Sequence, residues 1–366
     1  MHKKILIISQ EFPPFGGGAG VVAQQNAIEL AKLDHQVTLV TRNWGPKLEQ
    51  LNINHLQCTG PKKLWFLFLY WEIKKLYLED FDSIILNDIG ASFIWGTFFL
   101  NSQFSKNITV YLHGYEHDAI SNKPKGFIKH TKFAVRYKQL LLKSKNIISV
   151  SQYLKNSFLE GIPFKIDRER INVIYAGIDP EVFHPVNTDL KQQLSITDDK
   201  TILISVSRIV KEKGLFKMLD MFRKLLQIDS SFVWIVIGTG KDISEFKEQV
   251  SRNHLKDNVL IIGKIEREHL KDYYSIADLF WLLSEKESFG LTYLEAQMCG
   301  CPALGPNKFG IKESIQNNIS GYLVDDDTNT KKILSAKTYL KLNINIDSLK
   351  HKYEIKNQIK ILKEII

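Results

Sequence analysis

Cysteine is scarce in this chain of 366 residues, with three examples at Cys58, Cys299 and Cys301. Their number is odd and no C-x-x-C pair occurs, which argues against a disulfide framework and a cysteine-ligated zinc site. Long hydrophobic runs are also lacking, since the longest, residues 64–71, has eight residues where a membrane-spanning helix needs about 20. The apolar run at residues 5–8 is too short for a signal-peptide core. We therefore expect a cytoplasmic protein that does not span a membrane.

Acidic residues are absent from residues 119–159, which make up a basic segment. The net charge of the whole chain is +9, and this segment carries as much positive charge, on Lys123, Lys125, Lys129, Lys132, Arg136, Lys138, Lys143, Lys145 and Lys155. The rest of the chain is therefore formally neutral. The aromatic residues of the segment do not form a known RNA-binding motif, so we expect no nucleic-acid partner.

The composition is that of a soluble globular protein, at 44% hydrophobic and 24% charged residues. At about 100–200 residues per domain, the length predicts two domains. Gly177 and two prolines, Pro180 and Pro185, favour a turn and an extended linker over a continued helix. We place the domain boundary near Pro185, which predicts domains at residues 1–185 and 186–345.

Short β-branched runs alternate with helical stretches in both halves. The predicted strands are residues 5–9, 36–41, 83–86, 108–112, 147–150, 171–175, 201–205, 232–237, 259–262 and 279–282. Nearly continuous apolar strands separated by helices indicate parallel sheets covered on both faces. The pattern predicts an α/β protein with two doubly wound, Rossmann-like domains. Because ligands bind beyond the carboxyl ends of such strands, the chemistry should lie in the loops that follow them.

The first such loop, residues 11–20, is rich in glycine and leads into a helix expected to begin near Val21. Gly17 and Gly18 would let backbone N–H groups approach an anion at the helix N-terminus. A flexible turn is the plainer alternative. Dinucleotide binding is a poorer match, because two prolines separate the strand from the glycines.

A second strand-end loop, residues 284–296, contains Glu287 and Glu295 around the tripeptide Phe289-Gly290-Leu291. Backbone amides at the predicted helix start can bind a diphosphate, while the two carboxylates accept hydrogen bonds from sugar and ribose hydroxyls. The alternative is a surface helix with ordinary acidic residues in its first turns.

Two further loops point to an anion. Arg208 and Lys213 follow the strand at residues 201–205 and can converge on one anionic group. Gly238 follows the strand at residues 232–237. A solvated basic turn is the alternative for the first loop, and neither loop is decisive alone. Together they suggest a nucleotide-diphosphate site.

His113 falls at the end of the strand at residues 108–112. With Glu116 and His117 it also satisfies H-x-x-E-H, a zinc-peptidase pattern. That pattern needs a helix to bring both imidazoles to one face, whereas a strand runs up to His113. We therefore expect no metal ligand here.

With seven residues between Glu287 and Glu295, this region resembles the E-x7-E signature of retaining glycosyltransferases of the GT-B fold, family 4. The glycine loop, His113-Gly114, and Arg208 with Lys213 resemble further motifs of that family, in the same order. Phe309 departs from the pattern, standing where members often have glycine. Asn87-Asp88 departs too, at a strand end where histidine is common.

The resemblance implies two domains facing across a cleft, the first for the acceptor and the second for the donor, with a final helix at about 346–366 packing back onto the first. It implies transfer of a sugar from a nucleotide diphosphate, most often UDP or GDP, to an acceptor hydroxyl in polysaccharide or glycolipid assembly, without a metal or other cofactor. By the same resemblance Glu287 and His113 are catalytic, and Glu116, His117 and Asp118 are on the acceptor side. The implied donor-binding residues are Gly17, Gly18, Arg208, Lys213, Gly238, Lys264, Phe289, Gly290, Leu291 and Glu295. Alternatives are a non-catalytic sugar-nucleotide-binding subunit and a GT-B epimerase or phosphorylase.

The basic segment and the aromatic stretch at residues 62–75 combine lysines with large apolar residues. Such helices often lie on anionic membranes, where each cation contributes about 1 kcal/mol. A buried core helix with lysines at its ends is an equally good interpretation of residues 62–75. The resemblance implies a saccharide or lipid-linked acceptor, and a lipid-linked acceptor at the inner face of the cytoplasmic membrane would account for both segments.

Overall fold

The computed structural model describes residues 2–61, 63–101, 107–114, 116–120 and 131–366. The chain folds into two compact units, Met1–Gly177 with Ile355–Ile366, and Ile178–Glu354. The division falls at Gly177/Ile178 rather than near the predicted Pro185. Ile178 already belongs to the second unit because its N–H donates to the Tyr353 carbonyl at 2.8 Å.

The first unit is built on a seven-stranded sheet in the order β3-β2-β1-β4-β5-β6-β7. All its strand pairs are parallel. The strands are β1 (Lys4–Ser9), β2 (Gln36–Arg42), β3 (Ile53–Cys58), β4 (Ser83–Leu86), β5 (Ile108–Leu112), β6 (Asn146–Ser149) and β7 (Ile171–Val173). The central strands are buried, as continuous apolar sequence demands.

Helices of this unit connect the parallel strands. They are α1 (Gly18–Lys32), α2 (Trp65–Lys74), α3 (Ile89–Ile94), α4 (His117–Ile120), α5 (Phe133–Lys143) and α6 (Gln152–Gly161). A π-helical segment, Trp95–Phe99, continues α3. Helix α5 buries Phe133, Tyr137, Leu140 and Leu141, a spacing that places its apolar residues on one face.

The second unit has a six-stranded sheet in the order β10-β9-β8-β11-β12-β13, again parallel throughout. Its strands are β8 (Thr201–Val206), β9 (Phe232–Ile237), β10 (Val259–Gly263), β11 (Leu279–Trp281), β12 (Ala303–Pro306) and β13 (Gly321–Val324). Its helices are α7 (Leu190–Gln193), α8 (Leu215–Leu226), α9 (Ile243–Arg252), α10 (Leu270–Ile276), α11 (Leu291–Met298), α12 (Ile311–Ser314), α13 (Asp327–Ala336) and α14 (Ile346–Tyr353). The predicted fold class, two doubly wound α/β domains, is confirmed.

The C-terminal region differs from the single helix predicted over residues 346–366. It forms α14 in the second unit and a separate helix, α15 (Ile355–Ile365), in the first. The break falls at Glu354, which has an extended backbone and bridges to Ile178. Helix α15 packs against α1, and Gln358 accepts a hydrogen bond from the Tyr175 N–H at 3.1 Å.

Across the part of the chain that the structure describes, the helices are too short or too polar to cross a bilayer.

His55, on β3, makes the stability of the first unit depend on pH. Its Nδ1 accepts the Leu48 N–H at 3.0 Å and its Nε2 lies 2.9 Å from the Thr41 hydroxyl, an arrangement that suits a neutral ring. Burial, with the nearby Lys47 charge, lowers its pKa to about 4. Below the ordinary pKa of 6.5 the unfolded chain takes up a proton that the folded protein refuses, so stability is lost as pH falls towards 4.

Between pH 7 and pH 5, we expect the free energy of unfolding to fall by about 1–2 kcal/mol more in the wild type than in His55→Gln. Thermal unfolding at the two pH values measures the difference. His269→Gln, which removes an exposed imidazole, is the matched control. The same pH dependence in His55→Gln and wild type would contradict the assignment.

Candidate functional site

The sheet of the second unit changes direction between β8 and β11. Strands β9 and β10 lie on one side of this pair, and β12 and β13 on the other. In doubly wound sheets a crevice for ligands opens at such a switch point, beyond the carboxyl ends of the strands. The predicted donor-site residues of this unit follow β8, β9, β10 and β11, so they lie at one edge of one sheet.

Lys213 and Glu287 meet at this switch point. Lys213 closes the 3-10 turn Lys211–Lys213 after β8, and Glu287 lies in the loop after β11. The Lys213 Nζ donates a hydrogen bond to Glu287 Oε1, and each side chain is 16% exposed. The pair sets a cation and a carboxylate side by side in a partly desolvated position, where electrostatic interactions are stronger than in water.

Arg208 stands beside this pair in the same loop. Its side chain is exposed, and among the described residues it has no ion-pair or hydrogen-bond partner. The neighbouring Gly238 has φ +136°, and a Cβ on it would lie 1.9 Å from the Ser207 carbonyl oxygen. The loops after β8 and β9 therefore touch only because residue 238 is glycine, and this contact fixes the backbone that presents Arg208.

Helix α11 presents an uncapped N-terminus at the same edge. Its N-cap is Gly290, with φ +95° and no side-chain cap. The backbone N–H groups in the first turn of a helix, here starting at Leu291, have no partner within the helix and attract anions. Phe289, the residue before Gly290, is only 3% exposed and so anchors the loop that leads into the helix. The start of α11 is therefore a backbone terminus that attracts anions, at the switch-point edge of the sheet.

Glu295 lies inside α11 with a side chain only 5% exposed. Its Oε1 accepts hydrogen bonds from Arg267 Nε at 3.0 Å and Nη2 at 2.8 Å, and its Oε2 lies 3.3 Å from the Tyr274 hydroxyl. Sequence reasoning missed Arg267, whose position after β10 was the only available signal. The sequence pointed to Lys264 instead. That side chain is half-exposed, and its Nζ lies 3.4 Å from Glu266 Oε1.

The predicted glycine loop of the first unit opens helix α1 at Gly18, with Gly17 as N-cap. The helix begins earlier than the expected Val21. The Gly17 N–H donates to the Glu11 carboxylate at 2.7 Å. An acidic side chain of the chain itself therefore occupies an anion-binding position of this loop.

Asp88 shapes the same edge of the first sheet, next to the switch point between β1 and β4. Its Oδ2 accepts from the Ser9 hydroxyl and the N–H groups of Gln10 and Glu11 at 2.7–2.9 Å, while its Oδ1 caps α3 through the Ala91 N–H. Burial raises the pKa of the carboxyl, and the backbone N–H bonds oppose that rise. Asp88, which stands at a position that departs from the family pattern, therefore holds the loop after β1 in place.

His113 follows β5 in the first unit, stacked on Tyr111 with ring centroids 5.4 Å apart. Its imidazole donates a hydrogen bond to the Asn87 carbonyl. Burial lowers the pKa of the imidazole to about 4, so the ring is neutral at physiological pH. Buried Glu116 accepts from the N–H groups of His113 and Gly114 at 2.8–3.0 Å and so fixes this turn. Burial raises the pKa of the Glu116 carboxyl.

The other two predicted acceptor-side residues lie in α4. His117 Nε2 is 3.6 Å from Asp118 Oδ1, and Asp118 is exposed. Neither group assembles into a wider cluster: within the described ranges, no set of three His, Cys, Asp or Glu residues is arranged to hold a metal ion. The basic residues Lys123, Lys125 and Lys129 lie outside the described residues.

Two parallel α/β units, each with polar strand-end loops beside its switch point, define the class of GT-B proteins. The family model for glycosyl transferases group 1 matches residues 186–343, and that for glycosyltransferase family 4 matches residues 16–182. Between them they cover nearly the whole chain. Both halves of the chain thus match glycosyltransferase models, the first half that of family 4 and the second half that of group 1.

Two curated relatives and one solved structure illustrate what this chain is similar to. N-acetyl-alpha-D-glucosaminyl L-malate synthase of Bacillus anthracis is 34% identical over 42% of this chain and 40% of its own. Alpha-monoglucosyldiacylglycerol synthase of Streptococcus pneumoniae is 29% identical over 48% of this chain and 44% of its own. The match spans less than half the length of either relative. The structure of Anabaena Alr3699/HepE in complex with UDP and glucose has a TM-score of 0.78 at 19% identity, over 99% of both chains, and shows the fold alone.

Proposed function

We propose that this protein is a retaining glycosyltransferase. It transfers a sugar from a nucleotide diphosphate to an acceptor hydroxyl in the assembly of a polysaccharide or glycolipid. The observation that carries the proposal is the contact between Lys213 and Glu287 at the β8/β11 switch point. Arg208, whose side chain has no partner among the described residues, follows the same strand as Lys213, and the uncapped start of α11 lies at the same edge of the sheet. Both family models support the reaction class.

In this proposal the second unit binds the donor. Arg208, Lys213 and the first amides of α11 bind the diphosphate, which gains negative charge as the bond to the anomeric carbon breaks. Such charge stabilisation is usually the largest catalytic contribution. Glu287 stabilises the positive charge that develops on the sugar ring, and Glu295 accepts hydrogen bonds from the ribose. His113 takes part as a neutral hydrogen-bonding group.

Uridine diphosphate is the proposed leaving group. Support comes from the Anabaena protein of the same fold, whose structure contains UDP and glucose. We propose that no metal ion is needed, because two cationic side chains and a helix N-terminus supply the charge that a metal would otherwise provide.

The experiment is direct. UDP, GDP and ADP are titrated against the protein by calorimetry, and UDP-sugars are then tested for sugar-dependent release of UDP, with and without EDTA. We expect UDP to bind and turnover to survive EDTA. A protein that binds none of the three nucleotides would overturn the proposal, and activity abolished by EDTA would overturn its metal independence.

For the acceptor, we propose a lipid-linked hydroxyl at an anionic membrane surface. Helix α2 buries only Leu69 and Ile73 of its ten residues, so it has more exposed apolar surface than a core helix. Trp71 is 55% and Phe98 37% exposed, and the ring of Tyr70 packs at a tilt against that of Phe98, with centroids 4.4 Å apart. The pneumococcal relative is named for a glycolipid product, which supports the same class of acceptor.

Lys74 lies against this aromatic surface, defined here as Tyr70, Trp71 and Phe98, and further lysines are exposed on and just before the neighbouring helix α5. Lys74 Nζ lies 5.0 Å from the centre of the Trp71 ring. Helix α5, which packs against the π-helical segment carrying Phe98, exposes Lys132, Lys138 and Lys143 together with Val135 and Leu142. Apolar side chains flanked by lysines suit an anionic interface.

We expect the protein to sediment with phosphatidylglycerol vesicles at low salt, and Trp71→Ser/Phe98→Ser to bind about tenfold more weakly. Ile228→Ser is the control, because Ile228 is an exposed apolar residue, 69% exposed, in the second unit. Wild type that stays in the supernatant, or equal binding by the double variant, would contradict a membrane role for this surface.

A further inference from the structure

Arg267 makes two hydrogen bonds to one of the proposed donor-binding residues, Glu295, although neither motif nor resemblance named it. It begins the 3-10 turn Arg267–His269 after β10. Both its Nε and Nη2 donate to a single oxygen, Oε1 of Glu295, at 3.0 and 2.8 Å. Two charge-assisted bonds from one planar group fix the orientation of that carboxylate.

The second oxygen of Glu295 is held much less firmly. Its one partner in the described part of the chain is the Tyr274 hydroxyl, at 3.3 Å, beyond the usual range of an O–H···O bond. A carboxylate oxygen accepts about two hydrogen bonds, so Oε2 retains capacity for a ligand. Oε1 is therefore fixed by two strong hydrogen bonds, whereas Oε2 keeps spare hydrogen-bonding capacity.

Arg267 is itself held in place. Its guanidinium carbon lies 4.6 Å from the centre of the Phe183 ring, and Phe183 is fully buried. The Glu295 side chain is 5% and the Arg267 side chain 25% exposed. A carboxylate so deeply buried needs a compensating cation, and removing that cation leaves an unpaired charge.

We propose that Arg267 is a positioning residue that holds Glu295 Oε1 so that Oε2 accepts hydrogen bonds from the ribose hydroxyls of the donor nucleotide. The inference rests on the proposed function for the identity of the ligand. It assigns Arg267 no contact with the reacting atoms, so its effect must pass through Glu295.

The test compares UDP binding by Arg267→Met, Glu295→Gln and the double variant. We expect each single change to raise Kd for UDP by about tenfold to a hundredfold, and the double variant to bind no worse than the weaker single variant. Arg252→Met is the matched control: that arginine pairs with Glu248 at 2.6 Å on the exposed face of α9 and should leave binding unchanged.

Kinetics separate positioning from general damage. Arg267→Met should raise KM for the UDP-sugar while kcat stays within about twofold, because the reacting groups are untouched. Arg267→Lys should restore part of the affinity, since lysine keeps the charge but loses the planar fork. If Arg267→Met fails to fold, Tyr274→Phe is the alternative variant. It removes only the hydroxyl that contacts the Glu295 carboxylate. We expect it to raise KM as well, by a smaller factor.

Wild-type UDP affinity in Arg267→Met, or losses that multiply in the double variant, would overturn the inference. These results differ from failure of the proposed function. In that case the wild type itself binds none of UDP, GDP and ADP, whereas here the wild type binds UDP and only the dependence on Arg267 is missing.

Discussion

Glu287→Gln is expected to lower kcat by about two to three orders of magnitude without raising KM for the donor. Glutamine keeps the size of the side chain but removes the negative charge that would face the developing positive charge on the sugar. It also weakens the ion pair with Lys213, which leaves the Lys213 ammonium freer to bind the diphosphate. Turnover and donor binding should therefore respond in opposite directions.

Initial rates at saturating acceptor, measured as UDP release, give both constants. Glu285→Gln is the matched control, because Glu285 is an exposed carboxylate in the same loop. Wild-type turnover in Glu287→Gln would remove Glu287 from the mechanism. An equal loss in Glu285→Gln would point to loop damage instead of charge.

The strands that sequence predicted and those it missed differ in composition. Apolar β-branched runs such as those of β4, β5 and β9 were placed with the bounds found in the structure. Strand β3, Ile53–Cys58, was missed because polar residues interrupt its apolar ones at the sheet edge. Strand β12, Ala303–Pro306, was missed because it contains glycine and proline. Such segments form strands because they pair with neighbouring parallel strands, and no local sequence pattern reveals those neighbours.

Candidate residues in strand-end loops were predictable because the sheet topology places those loops together. The contacts between them were not. Glu295 was named as a ribose acceptor, yet its pairing with Arg267 depends on how the turn after β10 packs against α11. The Glu11 carboxylate on Gly17 likewise follows from a loop conformation that Asp88 imposes from another strand. Arg267 and Glu295 are 28 residues apart, and Glu11 and Asp88 are 77 residues apart.

Burial of α2 could not be decided from composition either. Lysine-flanked aromatic residues suit a core helix and an interfacial helix equally. The structure buries one narrow stripe, Leu69 and Ile73, and leaves Trp71 more than half exposed. Which side of an apolar helix meets the core depends on its neighbours, here α3 and the strands β2 and β3.

Arg208→Met is expected to weaken UDP binding by about a hundredfold and to change kcat less than it changes Kd. The Arg208 side chain has no protein partner among the described residues. Its substitution should therefore weaken ligand binding and not the contacts within the protein. One or two charge-assisted hydrogen bonds at about 1.5–3 kcal/mol each account for the factor. Stability should stay within about 0.5 kcal/mol of wild type, because the side chain is exposed.

The matched control for this change is Arg223→Met, an exposed arginine on α8. Calorimetric titration with UDP and with uridine separates the diphosphate contribution: Arg208→Met should weaken UDP binding and leave uridine binding unchanged. Salt should also weaken UDP binding less in the variant than in the wild type, because one cation no longer contributes. Equal losses for UDP and uridine would show that Arg208 acts on the nucleoside or the loop, and would separate it from the diphosphate site that we propose for Lys213 and the start of α11.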